Sequence, residues 1–188
     1  MPSTIHSCAV RGIDAYGVEI QVDILSGLSI FAIVGLGDAA VQESRDRIRS
    51  AMVNSGTTFP PERKVVNLAP ADTKKTGPSF DLPMAVGLLM ESGQVPKERM
   101  GAGAKAIFLG ELALDGEVRS VQGVLPCALW AKENGVEAFY VPEANVEEAL
   151  LVKDLNVYPV RSLGELIEHL RGKILIGARR SEGAAGSN

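Results

Sequence analysis

Histidine and cysteine are scarce in these 188 residues, with two of each. Cys8 and Cys127 fit neither a zinc spacing nor a C-x-x-C pair, which points to a reduced, cytoplasmic protein. His6 and His169 stand in no catalytic spacing and are expected at the surface, and no cluster of His, Cys, Asp and Glu offers a metal site. No apolar run approaches the roughly 18 residues of a membrane span. The start, "MPSTIHSCAVRG", lacks the basic-then-apolar order of a signal peptide. "GAGAKAIFLG" at 101–110 does not match G-x-x-x-x-G-K-[ST], so no P-loop is present and the stretch reads as a connector. A net charge of −4 gives no global attraction to nucleic acid or anionic lipid. Any such contact falls to a local basic patch.

What is present is the composition of one ordinary soluble domain, 46% apolar and 22% charged. A chain of this length buries about 70% of its unfolded surface and needs no staples. The fold class expected is α/β (α+β) with a mixed sheet and packed helices. "AVRGIDAYGVEIQVDIL" sets Val18, Ile20, Val22 and Ile24 against Glu19, Gln21 and Asp23, as in a half-buried antiparallel strand. "SGL" at 26–28 predicts a hairpin turn into "SIFAIVGL". A helix is expected from Asp38, as its N-cap, to about Asn54, where Gly56 stops it.

"RKVVNLAP" at 63–70 reads as a strand that Pro70 ends. "FDLPMAVGLLMESG" is apolar nearly all round and predicts a central helix capped by Asp81 and stopped by Gly93. "AIFLGELALDGEVRSV" predicts a hairpin with Asp115-Gly116 as a type I′ turn. Helices near 123–134, 143–151 and 162–172 alternate with the strands "AFYVP" and "NVYPV", which favours parallel pairing. Residues 1–172 make one domain, and 173–188, ending "GARRSEGAAGSN", a flexible linker or artificial tail.

Two stretches carry candidate chemistry. "FAIVGLGDAAVQESRDRI" matches G-x-G-x-x-A between a strand and a helix, the turn that seats a dinucleotide pyrophosphate. That reading needs a βαβ unit and an acid closing the second strand. The strand here is expected to arrive from an antiparallel hairpin, and the nearest acid, Asp72, lies beyond Pro70. Gly35 and Gly37 then serve a tight strand-to-helix turn. In "KKTGPSFDLP", Ser79 sits at the mouth of the central helix, where a nucleophile would need a lysine as its base. Its plain role is to stabilise the turn.

"GPSFDLPMAVGLL" and "GELALDGEVRSVQGVLPCALWAKENGVEAFYVPEAN" together resemble the proteolytic domain of Lon-type proteases. There the serine lies in G-P-S-A-G and the lysine in G-G-L-K after a G-E-V strand. Laid on this chain, the serine position is Ser79 and the lysine position is Leu125, which cannot accept a proton. Lys132 is seven residues further, about 10 Å along a helix. Lys74 and Lys75 are nearer to Ser79 in sequence.

A second resemblance covers residues 5 to about 172. "AVQESRDRIRSA", "NLAPAD" and "FDLP" occur in the order seen in the ComM/YifB family of magnesium chelatase-like AAA+ ATPases. The resemblance implies a Lon-protease-like domain, related to a small-subunit ribosomal protein fold, placed before an AAA+ module. It implies a non-catalytic role: shaping a hexameric ring, in a parent protein that acts as an ATP-dependent DNA helicase or translocase. The family is implicated in branch migration during DNA uptake and recombination. ATP and magnesium belong to the downstream AAA+ module, and this chain itself needs no cofactor and no metal. Expected partners are other copies in the ring and DNA, with no membrane. Candidate DNA contacts are Arg45, Arg49, Arg63, Lys64, Lys74 and Lys75. The alternatives are a Ser-Lys peptidase using Ser79 with a displaced lysine, and a magnesium chelatase-related subunit.

Overall fold

In this computed structural model, residues 2–71, 75, 77–97 and 105–183 are described. The chain opens with the alternating strands β1 (Ser3–Arg11) and β2 (Asp14–Leu25). They form an antiparallel hairpin whose register runs from Arg11↔Asp14 to Ser3↔Val22. Val18, Ile20 and Val22 are buried while Glu19 and Gln21 are exposed, so the period-2 pattern chose the buried face.

The hairpin expected between β2 and the next strand does not form. β3 (Phe31–Val34) lies at the sheet edge, and β4 (Arg63–Ala69) lies between it and β2. β4 runs antiparallel to β2 and parallel to β3, giving the order β1-β2-β4-β3. The segment around "SGL" therefore crosses over a strand position instead of turning back. β3, the helix α1 (Asp38–Asn54) and β4 make a βαβ crossover. Val66 and Leu68 of β4 are fully buried, as suits a strand paired on both sides.

α1 starts after Gly37 as N-cap, not Asp38, and ends at Ser55, with Gly56 at φ +84° beyond it. α2 (Asp81–Glu91) is buried at every position from Asp81 to Met90, as its apolar composition required. It lies against the hairpin so closely that a Cβ on Gly87 would meet Val22 Cγ2 at 2.5 Å. Its N-cap is Phe80, not Asp81, whose side chain is engaged elsewhere.

The second half pairs β5 (Ala106–Phe108), β8 (Ala138–Pro142) and β9 (Val157–Val160) in a parallel sheet of order β5-β8-β9. Between β5 and β8 come the short pair β6 (Glu111–Leu112) and β7 (Val118–Arg119), then α3 (Val124–Glu133). α4 (Val146–Ala149) and α5 (Leu163–Leu170) complete the alternation. The Asp-Gly turn between β6 and β7 is present but is not type I′. Gly116 has φ +97°, whereas Asp115 keeps a negative φ, and Gly116 N–H bonds the Ala113 carbonyl at 2.9 Å.

Residues 173–183 are docked. The Arg179 and Val157 backbones exchange two hydrogen bonds, of 2.7 and 2.8 Å. Ile176 N–H donates to His169 Nδ1 at 2.9 Å, and Gly183 N–H to Asp154 Oδ1 at 3.2 Å. Residues 173–183 are thus hydrogen-bonded to β9, to α5 and to Asp154. His169 is not a free surface residue, since its Nε2 also meets the Tyr140 hydroxyl at 2.9 Å.

Candidate functional site

A cavity of about 780 Å³ opens where the two halves meet, within the usual size of a small-ligand pocket. Its lining includes Cys8 and Arg11 from β1, Lys75, Ser79, Gly123 and Asn145. Asn145 fixes one wall by hydrogen-bonding both backbone groups of Val121, at 3.0 and 3.1 Å. Ser79 is half-buried, and its carbonyl accepts from Gly110 N–H at 3.0 Å while Leu82 N–H returns a bond to the Gly110 carbonyl at 3.0 Å. These two bonds hold the serine turn against the link between β5 and β6.

The lysine question separates into three positions. Leu125 packs against the hydrophobic cluster that includes Val124, Phe139 and Val157, and its N–H donates to Glu148 Oε2 at 3.0 Å. Lys132 is exposed, with Nζ 3.4 Å from the Asp154 carbonyl. Lys75 is 2% exposed and shares the cavity with Ser79. Its ammonium donates to the Leu68 carbonyl at 3.1 Å and to the Pro70 carbonyl. These bonds tie the ammonium to the backbone at the end of β4, and neither of them goes to the Ser79 hydroxyl. Lys74 lies outside the described residues.

Beside the serine turn is a buried ionic cluster that sequence reasoning missed as a site. Arg47 Nε lies 2.6 Å from Asp81 Oδ2, and Asp81 is fully buried. Ser44 Oγ donates to Asp81 Oδ1 at 3.0 Å, and Leu112 N–H donates to Asp81 Oδ2 at 3.1 Å. Arg47 also reaches Ser44 Oγ at 3.1 Å and Glu43 at 3.7 Å. Burial pushes the Asp81 carboxyl above its ordinary value, with Arg47, Leu112 N–H and Ser44 pulling it back. For Arg47, burial works against the charge, yet Asp81, Glu111 and Glu43 outweigh it and the guanidinium lies above its ordinary value. The signal for this cluster was visible in the residues "ESRDR" and "FDLP", but not the fact that they meet.

The G-L-G turn is bonded to the segment at Lys75. Gly37 N–H donates to the Lys75 carbonyl at 3.1 Å, and Lys75 N–H donates to the Gly35 carbonyl at 2.9 Å. Gly35 has φ +96°, and a Cβ there would meet the Leu68 carbonyl oxygen at 2.4 Å. A βαβ unit is present after all, contrary to the expected hairpin. Its turn nonetheless seats the protein's own segment at Lys75, where a dinucleotide fold would seat a phosphate.

Among the described residues, the candidate basic side chains differ in exposure. Lys64 is 1% exposed and donates to the carbonyls of Pro60 and Glu62 at 2.8 and 2.6 Å. Burial pushes its ammonium below the ordinary lysine value; Glu62 opposes the shift and Arg49 adds to it. Lys75 is buried as described. Both were expected as solvent-facing contacts, and the structure corrects that placement. The period-2 pattern of β4 carried the warning, because Lys64 shares a face with Val66 and Leu68. Arg45 is half-buried and donates to the Phe31 carbonyl and Gln42. Arg49 and Arg63 are exposed, and Arg49 lies over the Phe59 ring at 5.8 Å.

Residues 20–145 match the family model of the Mg-chelatase subunit ChlI. An uncharacterized protein of Mycobacterium tuberculosis (strain H37Rv) is 46% identical over 173 residues, covering 92% of this chain and 34% of that protein. The competence protein ComM of Haemophilus influenzae is 38% identical over 169 residues, covering 90% and 32%. YifB of Escherichia coli is 35% identical over 171 residues, covering 91% and 33%. The chain thus spans about a third of the length of the curated relatives it matches. The matched span contains both halves of the Arg47–Asp81 cluster, and the chain belongs to the Mg-chelatase ChlI family as a domain homologous to ComM and YifB.

Proposed function

We propose that this chain is a non-catalytic, Lon-protease-like N-terminal domain of a ComM-type AAA+ ATPase, working in the cytoplasm. It contributes to ring assembly, and its exposed arginines contact DNA during recombination or branch migration. ATP and magnesium are handled by an AAA+ module elsewhere in the longer protein, which acts as a helicase or translocase. The observation that carries this reading is the Arg47–Asp81 pair. Residues that mark the family are spent on holding α1, α2 and β6 together, beside a serine turn whose expected lysine position is Leu125. The competence name of ComM is in keeping with a role in DNA uptake.

A peptidase is the second reading, favoured by Ser79 and Lys75 sharing one cavity. The chelatase reading rests on the family name alone. In the full-length protein, Ser79→Ala is expected to leave ring size and ATP hydrolysis unchanged, and a serine-reactive phosphonate to leave Ser79 unlabelled. Phosphonate labelling of Ser79, lost in Ser79→Ala, would establish the peptidase instead. Removal of residues 1–172 is expected to weaken ATP-dependent ring formation; assembly at the same protein concentration as before would refute the ring role.

A further inference from the structure

α5 ends in a reversal made by glycine. Arg171 is its C-cap and Gly172 follows at φ +76°. The Gly172 and Lys173 N–H groups donate back to the His169 and Glu168 carbonyls at 3.0 and 2.9 Å. The reversal brings Ile176 onto the His169 ring, where its N–H meets Nδ1 at 2.9 Å. Ile174 and Leu175 are 68% and 66% exposed, whereas Ile176 is half-buried against the larger hydrophobic core.

This contact fixes the protonation state of the ring. A backbone amide only donates, so Nδ1 carries a lone pair and no proton. In the neutral imidazole the proton then sits on Nε2, 2.9 Å from the Tyr140 hydroxyl oxygen. Turning the ring over would put carbon at both positions, so the two bonds also fix its orientation. The titratable groups facing the ring are Tyr140 of β8 and Tyr158 of β9, with ring centroids 5.6 and 5.7 Å away. Burial, with Tyr158 adding to it, pushes the Tyr140 hydroxyl above its ordinary value, so it stays neutral where imidazole titrates. On α5 and the turn beyond it, the neighbouring charges are Glu165, Glu168, Arg171 and Lys173. Glu165 accepts from the Arg161 N–H at 2.9 Å, and Glu168 lies 3.9 Å from Arg171.

We propose that His169 is a proton-operated latch for residues 174–177: the neutral ring holds Ile176 against α5, and the imidazolium releases it. The step takes one proton from solvent. An Nδ1–H bond forms, the Ile176 N–H loses its acceptor, and two donors are left facing each other. One proton separates the two states, so the docked-to-released ratio falls by up to about tenfold per pH unit below about 6.5, the ordinary imidazole value. The anchors further along carry no imidazole. The Arg179 backbone pairs with Val157, and the Gly183 N–H donates to Asp154, so that part of the segment stays docked. Release presents Ile174, Leu175 and Ile176 as one apolar run. None of these residues belongs to the Arg47–Asp81 cluster or to the candidate DNA contacts, so the latch does not rest on the ring or DNA roles.

The test is a nuclear magnetic resonance titration of the isotope-labelled chain from about pH 8 to about pH 5, the span in which histidine changes charge. At the alkaline end, the ring nitrogen shifts should show Nδ1 bare and Nε2 protonated. The Cα shifts of residues 174–177 are expected to move to free-chain values with the same midpoint as the ring nitrogens. The Arg179 and Ser181 amides should stay in place over that span. His169→Leu should show the released values at the alkaline end already. Tyr140→Phe keeps the Nδ1 acceptor and should still dock in alkali and release in acid. The wild-type titration needs no variant to fold. A proton on Nδ1 at the alkaline end, or Cα shifts of 174–177 that keep their docked values to the acid end, would overturn the latch.

Discussion

Arg47 Nε and Asp81 Oδ2 stand 2.6 Å apart, joining the middle of α1 to the first residue of α2. Asp81 has no exposed surface, and its two oxygens together meet Arg47, Ser44 Oγ and the Leu112 N–H. Burying a carboxylate costs several kcal/mol unless a partner and hydrogen bonds compensate. Its partners come from α1 and β6 while Asp81 itself begins α2, so the cluster fixes the mutual placement of three elements.

Removing one partner leaves the other charge buried. Arg47→Met is expected to cost about 3–5 kcal/mol, because Asp81 is then uncompensated. Ser44→Ala removes one hydrogen bond to the carboxylate and is expected to cost about 1.5–3 kcal/mol. Urea unfolding of the chain and its two variants measures both. A loss under about 1 kcal/mol for Arg47→Met would mean that the pair does not hold the elements together.

The two glycines of "GLG" should differ sharply. Gly35 has φ +96° and approaches the Leu68 carbonyl, whereas a Cβ on Gly37 would find its nearest atom, the Lys75 carbonyl oxygen, at 3.9 Å. Gly35→Ala is expected to cost about 2–4 kcal/mol, and Gly37→Ala to stay within about 0.5 kcal/mol. Thermal and urea unfolding separate them. A turn built for pyrophosphate would need both positions open.

Under the proposed DNA role, the exposed Arg49 and Arg63 are the contacts to test. Each phosphate neutralised contributes about 0.9 to the slope of log affinity against log salt. Arg49→Ala with Arg63→Ala should therefore lower the slope by about 2. Lys64→Met should leave the slope unchanged, because Lys64 is committed to the Pro60 and Glu62 carbonyls. Filter binding to duplex DNA over a salt series, with the full-length protein, reads both.

Docking of residues 173–183 should depend on pH. The Gly183 N–H holds the Asp154 carboxyl below its ordinary value, desolvation opposes the shift, and Lys132 and Arg180 add to the lowering. A folded pKa below the unfolded 3.8 contributes stability that is present above 3.8 and lost as pH falls through the folded value. The Arg179 and Ser181 amide resonances are expected to move toward free-chain positions in that range, before the Leu68 amide does. Asp154→Ala should show the detached positions at neutral pH as well.

Most elements were legible because their causes are local. Period-2 alternation chose the buried face of β2, an all-apolar run chose the central helix α2, and alternating strands and helices chose the parallel sheet. The β6–β7 hairpin was legible too, although its turn type was not. An Asp-Gly pair permits a type I′ turn, but it also permits a glycine alone at positive φ, and the longer loop took that form. The caps failed for a different reason. Asp81 is a good local cap, yet the tertiary ion pair claims its carboxylate.

The sequence by itself determined which segments become strands and helices, and it contained the motifs that mark the family. Only the tertiary structure decided that β4 enters between β2 and β3. Strand order depends on hydrogen bonds between residues far apart in the chain, and no short pattern records the neighbour. The same holds for charge. Arg47, Lys64 and Lys75 read alike as basic residues, but burial against Asp81 or backbone carbonyls made them internal ties, while Arg49 and Arg63 stayed in solvent.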